Sequence, residues 1–132
     1  MKHPHGFTLI ELMIVLVIMG ILAMVAAGYF GDSVIKANRT EARSALTTAA
    51  GSLEKCRSLY GAYNSARCNV AFPLVTDSNY YSISAALDNT TFSLTATPVA
   101  GETQAKDASC NTLTLGNTRI KGATGSATSE CW

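Results

Sequence analysis

Glu11 is the only charged side chain in an apolar run from Phe7 to Phe30, and Gly6-Phe7-Thr8-Leu9-Ile10 lead directly into it. A charged acid at the centre of a lipid-spanning segment costs about 2.5 to 3.5 kcal/mol, so an acid in such a place marks function by default. The chemistry it offers is charge pairing. A carboxylate in apolar surroundings stays ionised only when an opposite charge lies within a few ångströms.

The four cysteines are the second group with chemistry to offer. Cys56, Cys68, Cys110 and Cys131 form an even set with no C-x-x-C pair, and both histidines, His3 and His5, lie far away at the N-terminus. In a small domain this pattern points to two disulfides and an oxidising compartment rather than to zinc or free thiols. Three pairings are open. Cys56 with Cys68 and Cys110 with Cys131 are favoured, because each closes a local, loop-rich segment, with a gain of about 3 kcal/mol per bridge in the chain-entropy model.

Other chemistries find little support. If the N-terminal residues are removed, no histidine remains for a Ser-His-Asp or Cys-His arrangement. Asp77, Asp88, Glu102 and Asp107 lack calcium-loop spacing, and no G-x-x-x-x-G-K-[ST] loop is present. No enzyme, cofactor or metal site is therefore expected. Ten basic and nine acidic residues give a formal charge of +1, too little for a broad nucleic-acid field. A local phosphate contact is conceivable at Arg119 and Lys121 on a predicted hairpin, joined by Lys106. The competing reading is a solvated charged rim, since no aromatic residue is interleaved with these cations.

These groups need elements to position them. Phe7 to Phe30 is long enough to cross a bilayer. A secretory signal peptide cut after Ala27 and a plain membrane anchor are alternatives, but neither accounts for Gly6-Phe7. Beyond Gly31 the residues Ile35, Ala42, Leu46, Ala49, Leu53, Cys56 and Tyr60 form one helical stripe, with Arg39, Glu41, Arg43, Thr47, Ser52 and Glu54 off it. One helix is expected from Phe7 to about Leu59, apolar in its first half and amphipathic in its second. Gly61 to Asn79 reads as a loop. Alternating patterns predict strands at Tyr81 to Ala85, Thr91 to Thr97 and Thr112 to Leu115, with a fourth from Thr118 to Lys121 after a Gly116-Asn117 turn. The fold class is α+β: an antiparallel sheet laid on the amphipathic half-helix through Tyr81, Ile83, Phe92, Leu94, Leu113 and Leu115. The Cys110 to Cys131 loop should cover one sheet edge.

Gly-Phe-Thr-Leu-x-Glu heading an apolar helix resembles the class III signal of type IV pilins and secretion pseudopilins. The resemblance implies a leader of residues 1–6, a membrane and filament-core helix over 7–30, and a periplasmic or extracellular pilin domain over 31–132. It implies cleavage between Gly6 and Phe7 by a prepilin peptidase and N-methylation of the new Phe7 amine. Glu11 would then pair with the N-terminal ammonium of a neighbouring subunit, setting register more than bulk stability. Many members carry proline where this chain has Gly28, which would loosen the helix without breaking it. Asn38-Arg39-Thr40-Glu41, Phe92 to Pro98, Leu113-Thr114-Leu115, Gly122 to Gly125 and Cys131-Trp132 narrow the resemblance to PilE-type minor pilins. The implied partners are major and minor pilin subunits, the peptidase, the pilus assembly machinery and the inner membrane, with the pilus outside the cell as final location. A DNA-uptake or adhesion pilin and a type II secretion pseudopilin are the alternatives.

Overall fold

The computed structural model describes residues 6–132, except the side chains of 27–29; Lys2, His3, His5 and the rest of residues 1–5 lie outside the described residues. Helix α1 spans Leu9–Tyr60 and runs uninterrupted through Gly20, Gly28 and Gly31. Its end has a local cause. Gly61 adopts a left-handed φ of 82°, and its N–H donates to the Arg57 carbonyl at 2.7 Å, a helix stop that glycine accepts without a side-chain clash.

The chain divides into two compact units, residues 1–34 and 35–132. In the first, every large apolar side chain described is exposed, from Phe7 to Phe30, and the best 18-residue window has a mean hydropathy of 2.8. A helix whose described large apolar side chains are exposed calls for another apolar environment, lipid or other helices.

The second unit has its own core. Five strands follow in chain order: β1 Leu74–Val75, β2 Tyr81–Leu87, β3 Phe92–Pro98, β4 Leu113–Gly116 and β5 Lys121–Ala123. They form one antiparallel sheet in the order β1-β2-β3-β4-β5. Register puts Ala85 opposite Leu94 and Leu94 opposite Leu115, so alternate residues line one face. Tyr81, Ile83, Phe92, Leu94, Leu113 and Leu115 are all buried, against Ala42, Leu46, Ala49 and Leu53 of α1. Each fully buried leucine or isoleucine here is worth about 1.5 to 3 kcal/mol.

Three expectations need correction. Ile35 is only half-buried and Tyr60 is exposed, so the buried helical stripe starts at Asn38 and ends at Cys56. The stretch expected as loop contains β1, too short for alternation to reveal. The last strand is Lys121–Ala123 rather than Thr118 to Lys121. Thr118 and Arg119 are spent on the turn, where the Arg119 N–H donates to the Gly116 carbonyl at 2.9 Å.

Candidate functional site

The first site is the start of α1. Thr8 precedes the helix, and its hydroxyl accepts a hydrogen bond from the Glu11 backbone N–H at 3.3 Å. Thr8 with Glu11 three residues on is the sequence pattern of a helix-capping box, and this is the threonine half of it. Thr-Leu-Ile-Glu thus does two things at once: it starts the helix and places an acid in its first turn, where the aligned backbone N–H groups favour negative charge. Gly6 and Phe7 lie just outside the helix and are exposed.

The second site is a buried polar network linking α1 to the connection between β3 and β4. Arg39 Nε and Nη2 donate to the two Asp107 carboxylate oxygens at 2.5 and 2.6 Å. Gln104, in the short 3-10 turn Thr103–Lys106, accepts from Asn38 at 3.2 Å and donates to Tyr81 Oη at 2.9 Å and to Asp107 at 3.1 Å. The Ser109 and Cys110 N–H groups complete the shell around Asp107. Arg39, expected on the polar face of the helix, is buried, and so is Asn38 beside it. Arg39 lies off the apolar stripe, and only the return of the chain at Asp107 makes its burial favourable.

Electrostatics follow from these contacts. Burial alone pushes the Asp107 carboxyl up, but the hydrogen bond from Arg39 and those from the Cys110 and Ser109 backbone outweigh it and hold the group below the ordinary carboxylate range. Hydrogen bonding to Asp107 raises Arg39, against the opposing effect of burial. Burial raises the Tyr81 phenol despite its bond to Gln104.

The disulfides are Cys56 to Cys68 and Cys110 to Cys131, as the local-loop argument favours. The second fixes the C-terminal segment beside β5. The Trp132 indole N–H donates to the Gly122 carbonyl at 2.7 Å, tying the C-terminal residue to β5. The Cys110 to Cys131 segment, expected to cover a sheet edge, instead contains β4 and β5 and itself forms the edge at β5.

The candidate nucleic-acid residues separate. Arg119 and Lys121 line one groove with Thr47, Gly51, Phe92, Leu115 and Asn117. Lys121 also lines an adjoining groove with Thr40, Arg43, Thr47 and Trp132, about 400 Å³ in volume. Its ammonium sits 5.1 Å from the centre of the Trp132 ring, within cation–π range. An aromatic therefore does meet the basic residues, eleven positions away from Lys121 in sequence and next to it in space. Arg43 is the residue missed by sequence reasoning: on α1 it looks like any surface arginine. Lys106 is exposed on the Thr103–Lys106 turn and lines neither groove. Among the described residues none of Lys106, Arg119 and Lys121 forms an ion pair.

Residues 29–114 match the family described as type IV minor pilin ComP, DNA uptake sequence receptor. Residues 1–27 match the prokaryotic N-terminal methylation motif. Among solved structures, the non-core minor pilin PilV of Neisseria meningitidis is 18% identical, with a TM-score of 0.57 over 71% of this chain and 90% of that one. A type IV pilin from Shewanella oneidensis is 28% identical, with a TM-score of 0.48 over 66% of this chain and 89% of that one. No curated protein matches. The likeness to PilV concerns the fold: a long N-terminal helix packed on a small antiparallel sheet.

Proposed function

The chain belongs to the family of the type IV minor pilin ComP, and from that premise we propose that it is made as a membrane-inserted prepilin, cut after Gly6 and assembled through α1 with its Ile35–Trp132 unit outside the cytoplasm. A minor pilin is a structural protein that assembles with other pilins into a pilus. The observation that carries the assembly reading is the methylation motif on a helix whose apolar surface is exposed throughout its described first half. Cleavage by a prepilin peptidase frees the Phe7 amine, and Glu11 pairs with the ammonium of a neighbouring subunit. The Thr8 cap keeps Glu11 in the first turn, four residues from the new terminus. Assembly machinery and neighbouring pilins supply the partners.

Intact mass and N-terminal sequencing of the protein, from cells with and without prepilin peptidase activity, test this. A chain beginning at methylated Phe7 only when the peptidase is present is expected. A start at Gly28, or an uncut Met1 in both, would sink the reading.

A second reading, that the assembled subunit receives DNA, is favoured by the family's description as a DNA uptake sequence receptor and by the basic flank of this chain. Lys121, Arg119 and Arg43 would contact phosphates, and Trp132 holds Lys121 in place. Binding of duplex DNA should weaken as salt rises, and each phosphate contact removed should reduce the salt slope by about one. Binding that ignores salt, or that survives loss of Arg43, Arg119 and Lys121 together, would overturn this reading.

A further inference from the structure

Two grooves flank the exposed ridge of α1 in the Ile35–Trp132 unit, one on each side. Ser44 and Thr48 are exposed and line both, so a single row of short hydroxyl side chains separates them. The groove on the β1 side has a volume of about 490 Å³ and lies between Ala45, Ala49 and Ser52 of the helix and the segment Leu74 to Asp77. The groove on the β5 side is the one shared by Arg43, Thr47, Lys121 and Trp132.

The charges sort by side. Glu41 and Asp77 are the charged residues of the β1-side groove, and Arg43 and Lys121 those of the β5-side groove. Glu41 and Arg43 are two positions apart in a helix, hence at nearly one height and about 200° apart around its axis. Each flank is held in place. The Ser78 N–H donates to the Glu41 carboxylate at 3.0 Å, fixing the acid against the turn that carries Asp77, and Lys121 rests on the Trp132 ring. Among the described residues none of Glu41, Asp77, Arg43 and Lys121 forms an ion pair. The opposite charge that each flank fits must therefore come from outside the chain.

We propose that the acidic flank of one copy of this chain seats against the basic flank of a second copy running in the same direction, Glu41 and Asp77 facing Arg43 and Lys121. DNA would account for the basic flank alone, whereas a second copy accounts for both. The contact is head-to-tail: each copy keeps a flank of either sign for a further neighbour, so it builds a ring or an open row rather than a closed pair. Its direction rests on the assembly reading above, since copies inserted in one membrane point the same way. Further along the helix Lys55 and Arg67 stand on the β1 side and Glu54 and Arg119 on the β5 side, so Lys55 meets Glu54 in the same arrangement. Two acidic flanks set head to foot would pair Glu41 with Lys55, but only between chains of opposite direction. Complementary charge of this kind selects partner and register more than it adds affinity. On the DNA-receptor reading the same cations contact phosphate, so a docked neighbour and a duplex exclude each other at one flank.

Cysteine cross-linking of the full chain in detergent micelles tests this. Cys56, Cys68, Cys110 and Cys131 are all in disulfides, so an introduced cysteine is the only free thiol. Val75 lines the acidic groove and Thr47 the basic one, and both are exposed. Val75→Cys copies mixed with Thr47→Cys copies should cross-link under mild oxidation, neither should do so alone, and added salt should lower the yield. Adding Glu41→Arg and Asp77→Arg to the Val75→Cys chain should abolish the cross-link, as should adding Arg43→Glu and Lys121→Glu to the Thr47→Cys chain. Mixing the two charge-reversed chains should restore it, which misfolded variants would not do. No cross-link in the first mixture, a yield indifferent to the reversals, or cross-linking of Val75→Cys with itself would each overturn the proposal. Membrane fractionation and N-terminal sequencing of the source cells report separately on the assembly reading: an uncut chain, or one outside the membrane, refutes that reading whatever the cross-links show.

Discussion

Arg39 and Asp107, 68 residues apart, form a two-pronged buried ion pair that fastens the β3–β4 connection to α1. Every buried side-chain nitrogen and oxygen described has a hydrogen-bond partner. That complete pairing is what makes burial of two charges tolerable, because an unpaired one would keep its full desolvation cost. The same connection carries Lys106 and leads into Cys110, so the pair holds the segment that the second disulfide closes.

Breaking the pair from one side should cost far more than removing both charges. Arg39→Met leaves Asp107 buried and uncompensated and is expected to destabilise the fold by about 3 to 5 kcal/mol. Arg39→Met with Asp107→Leu should cost clearly less than the sum of the single changes. Urea unfolding of the full chain in micelles gives the three values.

Acid should loosen the fold through Asp107. Its carboxyl titrates below the ordinary range in the folded chain, so its stabilisation is complete above the unfolded value of about 3.9 and is lost as pH falls through the folded value. Tyr81 works in the other direction. Its raised phenol contributes stability below the unfolded value of about 10, lost as pH rises through the folded one. Unfolding midpoints from acid to alkaline pH should fall at both ends, and Asp107→Asn should flatten the acid side.

The two disulfides should differ in what they protect. Losing either is expected to cost about 3 kcal/mol by loop-closure entropy. Loss of Cys110–Cys131 also frees Trp132 from Gly122 and from Lys121. Cys131→Ser should therefore change Trp132 fluorescence and, on the DNA-receptor reading, weaken DNA binding, while Cys68→Ser should lower stability and leave Trp132 fluorescence unchanged.

Glu11→Ala should insert in the membrane and be cut normally, yet fail to enter pili. Counting the protein in sheared pilus and membrane fractions tests this. Normal entry into pili would remove the charge-pairing role. Thr8→Val, which deletes only the cap, should weaken the helix start by about 1 kcal/mol and reduce entry without abolishing it.

What the sequence determined by itself is whatever depends on neighbours along the chain. The apolar run with its single acid, the stripe from Ala42 to Cys56 and the alternation in β2, β3 and β4 are patterns among near neighbours along the chain, the last two with periods of 3.6 and 2. The helix and strand side chains from Ala42 to Leu53 and at Tyr81, Ile83, Phe92, Leu94, Leu113 and Leu115 could therefore be named beforehand, whereas Tyr63, in the loop after the helix, could not. The short disulfide loops were legible for the same reason. Tertiary structure decided what depends on distant segments meeting. Arg39 is indistinguishable from Arg43 in the sequence, and only Asp107, arriving from the far side of β3, buries one and leaves the other at the groove. Trp132 joined the basic flank because the Cys110–Cys131 bridge brings the C-terminal segment back to β5. Strand β1 was invisible because two residues carry no period, and β5 was misplaced because the left-handed Arg119 lengthens the turn at a position where sequence alone would look for glycine.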